Sequence, residues 1–273
     1  MDEWITAYLE NWQYEFSSWP DASDCLALLK TIFAEIKRLP RESSFSADDL
    51  SIYDDISNSI ISSITTLPDP DVGLDYIQDV LFDAATSSPL SSDPTSLTLL
   101  TQQLIANLPD PLDEKLQTGL TYDIRARWKI GPEKPTFGDP VPESEYIAKW
   151  VCLNRFVAHL TRLRVLLEQG DVKFGVSTLD RAFNAQVAGY REDERAYHVP
   201  AAATWIEVLG VEIYRWVVKG EGDSGLAGDG AKWKVWREGF EAVSRDDGLK
   251  LEGDAGDRAK RAFERMGEIQ GQE

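Results

Sequence analysis

The chain holds very little of the chemistry on which most recognisable sites are built. Its 273 residues include two cysteines, Cys25 and Cys152, and two histidines, His159 and His198. Neither histidine has a second Cys or His at ligand spacing, and HExxH, CxxC and GxSxG are all missing, so zinc sites and nucleophile-elbow hydrolases lose their sequence support. No metal and no cofactor is expected. Both cysteines fall inside helical patterns and read as reduced, small buried hydrophobes, which fits a reducing, cytoplasmic setting. The opening residues MDEWITAYLE carry acid where a secretory leader carries Lys or Arg, and no run approaches the roughly 18 apolar residues of a membrane span, so neither export nor a bilayer is expected. Alternating β-branched and polar stretches are missing too, which argues against strands.

Positive charge is scarce as well. There are 28 Lys and Arg against 47 Asp and Glu, a formal net charge of -19, and between Arg41 and Lys115 no Lys or Arg occurs. A phosphate backbone is held by cations that displace its counterions, so nucleic acid is not an expected partner. The acidic stretch from Glu42 to Glu114 reads as a set of solvated helix faces that aid solubility, with a docking surface for a basic partner as the alternative.

What the sequence does contain is helical periodicity. Trp4, Tyr8, Trp12 and Phe16 recur every fourth residue on a first helix that stops before Pro20. Leu26, Leu29, Ile32, Phe33 and Ile36 mark a second, ended by Pro40. Ser46 with Asp49 resembles a capping box for a third, whose stripe is Leu50, Tyr53, Ile56, Ile60 and Ile64. A fourth begins at Asp71, and Asp93 with Pro94 is a cap and first-turn pair for a fifth. Residues Leu112 to Trp128 suggest a sixth, interrupted by Gly119 and Thr121. The segment GPEKPTFGDPVP, residues 131–142, cannot be helical because prolines lack the N–H and fix φ.

Beyond it lie a long helix from Glu143 to about Gln169, a shorter one after Ser177, one from Pro200 to about Val218, and two more around Trp233–Val243 and Ala255–Ile269. The loop GEGDSGLAGDG lacks the GK[ST] ending of a P-loop and reads as a linker. The expectation is an all-α, bundle-like globular protein of about ten helices. It has an acidic half at 1–130, a connector at 131–142 and a second half at 143–273, forming one continuous domain.

Three features carry candidate chemistry. In DDLSIYDDISNS, Asp54, Asp55 and Asn58 resemble the metal-binding motif of helical terpene synthases. A matching second motif and cations for a diphosphate are missing, so a solvated face is the simpler reading. In WVCLNRFVAHLTRLRVLL the apolar residues cover almost the whole circumference, leaving a narrow sector for Arg155, His159 and Arg162. Asn154, Thr161 and Arg164 then fall inside the apolar arc and need partners. On the helix after Pro200, Trp205, Val208, Leu209 and Trp216 define a buried arc that includes Glu212, with Glu207 and Tyr214 opposite. A carboxylate among tryptophans must be paired, and Arg164 is its expected partner. Hydrogen bonds satisfied between core helices, and a tryptophan stripe packed as core, are the simpler readings; in the alternative, a ligand pocket, Asn154, Thr161, Arg164, Trp205 and Glu212 are the candidate ligand-binding residues.

The segments WVCLNRFVAHLT, YHVPAAATWIEVLGVEIY and KWKVWREGFEAVS resemble the fungal domain-of-unknown-function family 3632, most clearly over residues 143 to 269. Leu153, Asn154, Phe156, Leu160 and Thr161 match its Leu-Asn-x-Phe-x-Ala-x-Leu-Thr core, while Ala158 and His159 stand where the family carries Ala-Arg. The resemblance implies a fungal origin and an α-helical fold, and no activity. The function expected is non-catalytic binding of a partner protein or a small apolar molecule. The alternative is an enzyme of fungal specialised metabolism working in an aromatic-lined helical cavity.

Overall fold

A computed structural model describes residues 1–19, 21–40, 47–87, 94–136, 140–166, 172–184, 194–221, 230–245 and 255–272. Among them are eleven α-helices and no strand, and no helix is long and apolar enough to cross a membrane. The chain divides into two compact units, Met1–Arg125 with Leu163–Leu167, and Ala126–Arg162 with Glu168–Glu273.

The first unit holds α1 (Asp2–Phe16), α2 (Ala22–Ile36), α3 (Ala47–Thr65), α4 (Pro70–Ser87), α5 (Thr95–Asn107) and most of α6 (Leu112–Ile130). The stripes are apolar where periodicity places them: Leu29, Ile32, Phe33 and Ile36 on α2, and Tyr53, Ile56, Ile60 and Ile64 on α3, are buried. The start of α4 has a local cause. Asp69 Oδ1 accepts the backbone N–H of Asp71 at 3.1 Å, as an N-cap oxygen does, and Pro70 supplies a first helical residue that needs no donor. Helix α5 begins one residue past Pro94; Asp93, Ser46 and Pro20 lie outside the described residues, and so does the side chain of Asp49. Gly119 does not interrupt α6. A Cβ there would lie 2.4 Å from the carboxamide of Gln78, so glycine lets α6 approach α4 closely.

The second unit is organised around α9 (Arg195–Tyr214), against which α7 (Glu143–Arg162), α8 (Val172–Phe183) and α11 (Ala255–Gln272) all pack, with α10 (Gly230–Arg245) on α11. Most of α9 is buried, and a helix apolar on nearly every side belongs at a centre. It begins five residues before Pro200, which lies inside it, and it is kinked: Leu209 has φ -129° and ψ 19°. A π-helical turn, Arg215–Lys219, follows, ended by Gly220 in the left-handed region.

Two candidate positions are corrected by this geometry. Helix α7 ends at Arg162 rather than near Gln169, so Arg164 is outside it, exposed, with φ 55°. The kink at Leu209 rotates the turn after it, so Glu212 points outward and is exposed, while Tyr214, expected on the polar side, is buried against Trp233 at 5.0 Å between ring centroids. A helical wheel at 100° per residue assumes one unbroken helix, and both predictions crossed a break. Neither charge is stranded in a core, so the expected cost of an unpaired buried ion disappears. Helix α8 likewise starts at Val172, ahead of Ser177. Cys25 is buried and Cys152 half-buried.

Candidate functional site

Asn154 and Trp205 come together in the second unit; both are fully buried. Asn154 Oδ1 accepts the Trp205 Nε1–H at 2.8 Å and lies 3.1 Å from the Thr178 hydroxyl, whose one proton it shares with the Phe174 carbonyl at 2.9 Å, while its own Nδ2 donates to the Trp150 carbonyl at 2.8 Å. One carboxamide on α7 thus ties α8 and α9 to itself. Trp128 closes the group, with Nε1 3.3 Å from both Thr178 Oγ1 and the Phe174 carbonyl. Its ring packs on Trp150 at 5.2 Å and Phe174 at 5.1 Å, and edge-on to Trp205 at 6.5 Å. Space is filled as well as polarity: a Cβ on Gly175 would sit 2.6 Å from the Trp205 ring, so the backbone of α8 rests directly on the indole. Asn154 and Trp205 therefore form a satisfied, close-packed clamp with no room for a ligand between them. Thr161 is different. It is half-buried, and its buried Oγ1 has no hydrogen-bond partner.

A carboxylate among tryptophans does exist, but it is Asp180 on α8 and not Glu212. Asp180 is 5% exposed and accepts from Trp236 Nε1 at 3.0 Å and from Lys232 Nζ at 2.9 Å, both on α10. Pairing with an ammonium and an indole offsets its desolvation. The signal was Asp180 next to Leu179 in a short amphipathic helix, which only the true start of α8 makes visible.

His198 is the least settled group. It is fully buried on α9, edge-on to Trp150 at 5.8 Å between centroids, and neither ring nitrogen has a hydrogen-bond partner. Glu194 Oε2 stands 3.6 Å from Nε2, while Oε1 of the same carboxylate is held by Lys134 at 2.8 Å. Burial, reinforced by Arg181, pushes the imidazole down to about 4 against the pull of Glu194. Nearby, the Tyr197 hydroxyl donates to Glu143 at 2.9 Å, and burial with that carboxylate pushes its pKa upward.

The terpene-synthase-like string is a solvated face: Asp54, Asp55 and Asn58 are exposed, and Asp54 Oδ1 accepts from Asn107 at 3.3 Å. Among the described residues no three His, Cys, Asp or Glu side chains converge as a metal site requires.

Two open cavities lie in the first unit. One, about 850 Å³, runs between α4 and α6 and is bordered by Asp71, Asp75, Asp79, Glu114, Asp123 and Tyr122. The other, about 560 Å³, runs between α1 and α4. Sequence reading foresaw neither, because periodicity puts the aromatic stripe of α1 on one face without saying which helix borders it.

A family model described as Protein of unknown function (DUF3632) matches residues 79–246. That is more than half of the chain, and the chain belongs to this family. The match reaches back into α4, earlier than the segments that carry the resemblance, and stops before α11. No curated protein and no solved structure matches the chain.

Two outcomes follow from the buried polar groups. Asn154→Leu strands the Trp205 N–H and removes an acceptor from Thr178, and should cost about 2–3 kcal/mol in urea unfolding, whereas Thr161→Val deletes an unpartnered hydroxyl and should be neutral or stabilising. The second concerns pH. The His198 pKa is lower in the folded chain than in the unfolded one, so the unfolded state binds more protons between about pH 6.5 and 4, and stability falls as pH drops through that window. Between pH 7.5 and 5 the wild type should lose about 2 kcal/mol more than His198→Phe; parallel pH curves for the two would show that His198 does not titrate this way.

Proposed function

We propose that this protein is a non-catalytic binding protein that engages a partner protein through the α1–α4–α6 face of its first unit. The observation that carries the reading is the contrast between two places. At Asn154 and Trp205, where the sequence suggested a ligand site, donors and acceptors are matched to one another and the space is full. On the first unit, by contrast, two open grooves expose aromatic rings: Trp19 is 53% exposed and Tyr122 is 71% exposed. Large aromatic side chains with one polar end are the residues that dominate protein interfaces, because they bury much area at little entropic cost. Grooves open on one side suit a chain segment better than a small molecule, which is held by enclosure.

The test places a photo-crosslinking amino acid at Trp19, at Tyr122 and, as a control, at Val235 on α10, in the protein expressed in its own host. The same protein should be captured from the first two positions and not from Val235. Capture from Val235 alone would contradict the reading. So would a small molecule that co-purifies in native mass spectrometry and is released by Asn154→Leu.

A further inference from the structure

Helix α4 carries Asp71, Asp75, Asp79 and Asp83, each four residues from the last and so on one face. The first three are exposed and Asp83 is half-buried. Like charges at this spacing oppose helix formation by a few tenths of a kcal/mol per pair, ~0.2–0.5. Lys115 answers Asp71 at 2.7 Å, and Asp79 and Asp83 have interactions of their own within the chain, while residues Glu42 to Glu114 include no Lys or Arg. Partial burial, with Asp71 and Asp69 nearby, raises the pKa of Asp75, and burial together with Asp83 and Asp79 raises that of Tyr8. The potential along this ridge is negative on its α1 side, where the carboxylates meet aromatic rings.

The groove on that side is walled by Tyr8, Trp12, Phe16 and Trp19 and by Tyr76 on α4, with Glu15, Asp75, Asp79 and Asp83 along it. Trp12 packs on Tyr76 at 5.8 Å and on Phe16 at 5.6 Å. Trp12 is 5% exposed, and its Nε1–H has no acceptor in hydrogen-bond geometry; burial pushes the pKa of the neighbouring Tyr76 hydroxyl upward, against the pull of that N–H. From Tyr8 to Trp19 on one wall, and from Val72 to Asp83 on the other, the groove follows about 16 Å of helix, or three turns. Its length matches one face of a short helix, its aromatic wall matches that helix's apolar side chains, and its carboxylates match Lys or Arg flanking them.

On the reading that the protein binds a partner protein, we propose that the α1–α4 groove receives a basic amphipathic helix of that partner. The partner's apolar stripe lies on Tyr8, Phe16 and Trp19, over the buried Trp12, and its Lys or Arg side chains lie along the negative ridge of Asp75, Asp79 and Asp83. A second copy of this chain, at a net charge of -19, carries the wrong overall sign for this surface. A small polyamine would be satisfied by the carboxylates and would leave the Trp19 ring uncovered.

The experiment titrates the full chain with a synthetic amphipathic Leu/Lys helix of about 14 residues, a scrambled peptide of the same composition, and spermine, reading calorimetry at two salt concentrations. The amphipathic peptide should bind at least about tenfold more tightly than the scrambled one and weaken with salt. The double variant Asp75→Asn/Asp79→Asn should lose about tenfold, and Trp19→Ala a similar factor. Glu238→Gln/Glu268→Gln makes the same charge change on exposed residues of the second unit and should lose nothing. Equal binding of the scrambled peptide, an equal loss in both double variants, or spermine binding that depends on Asp75 and Asp79 while the peptide's does not, would overturn the proposal. So would self-association abolished by Asp75→Asn/Asp79→Asn in sedimentation, which would make a second copy the occupant. A partner crosslinked at Trp19 that has no basic helix would leave the binding reading standing and remove only this one.

Discussion

One carboxamide oxygen sets the register of the second unit. Asn154 Oδ1 takes hydrogen bonds from Trp205 and Thr178, so the helix that carries it is fixed in rotation and translation against two neighbours at once. Buried polar groups of this kind add modest net stability, about 1 kcal/mol per bond, but any packing that leaves a donor unmatched costs more than that. Alternative registers of α7 against α9 would leave an indole N–H and a carboxamide without partners in an apolar core. Direct contact between the α8 backbone and the Trp205 ring, which only glycine at 175 permits, excludes them sterically as well. Around this clamp, Asp180 performs the same service for α10, with Lys232 and Trp236 as its donors.

The two units differ in where their carboxylates stand. In the second, Asp180 is drawn into the core and held there by Lys232 and Trp236. In the first, polar groups are buried too, the Tyr53 hydroxyl donating to Ser96 at 3.0 Å between α3 and α5, but the carboxylates of α4 stand at the surface. Charge displayed at a surface attracts a partner of opposite sign, at a cost in self-repulsion that salt screens. The family match covers the clamp and its helices and leaves out α1, whose aromatic residues complete the groove.

How much of this was legible in the sequence depended on whether helices stayed straight. Periodicity located the stripes of α1, α2 and α3, and it singled out Asn154 correctly, since a carboxamide on an apolar arc needs partners wherever the chain goes. It could not name Thr178 or Trp128 as those partners, because which helices meet is a tertiary outcome. It failed for Arg164 and Glu212 for local backbone reasons: a helix end at Arg162 that no neighbouring proline or glycine marks, and a kink at Leu209 whose one mark in the sequence is the adjacent Gly210. The four-residue spacing of Asp71, Asp75, Asp79 and Asp83 was readable, but only the placement of α1 beside α4 gives it an aromatic border.

The central claim is that the buried polar cluster is structural and that binding belongs to the α1–α4 face. The nine tryptophans are natural reporters, with Trp4, Trp12 and Trp19 on the first unit and the other six, Trp205 among them, on the second. The most direct measurement is an indole N–H spectrum of protein labelled with 15N at tryptophan, recorded while a basic amphipathic helix is titrated in. The account predicts that the resonances of Trp12 and Trp19 move with a common saturation curve while those of Trp150 and Trp205 stay in place. Movement centred on Trp150 and Trp205, with Trp12 and Trp19 unchanged, would contradict it.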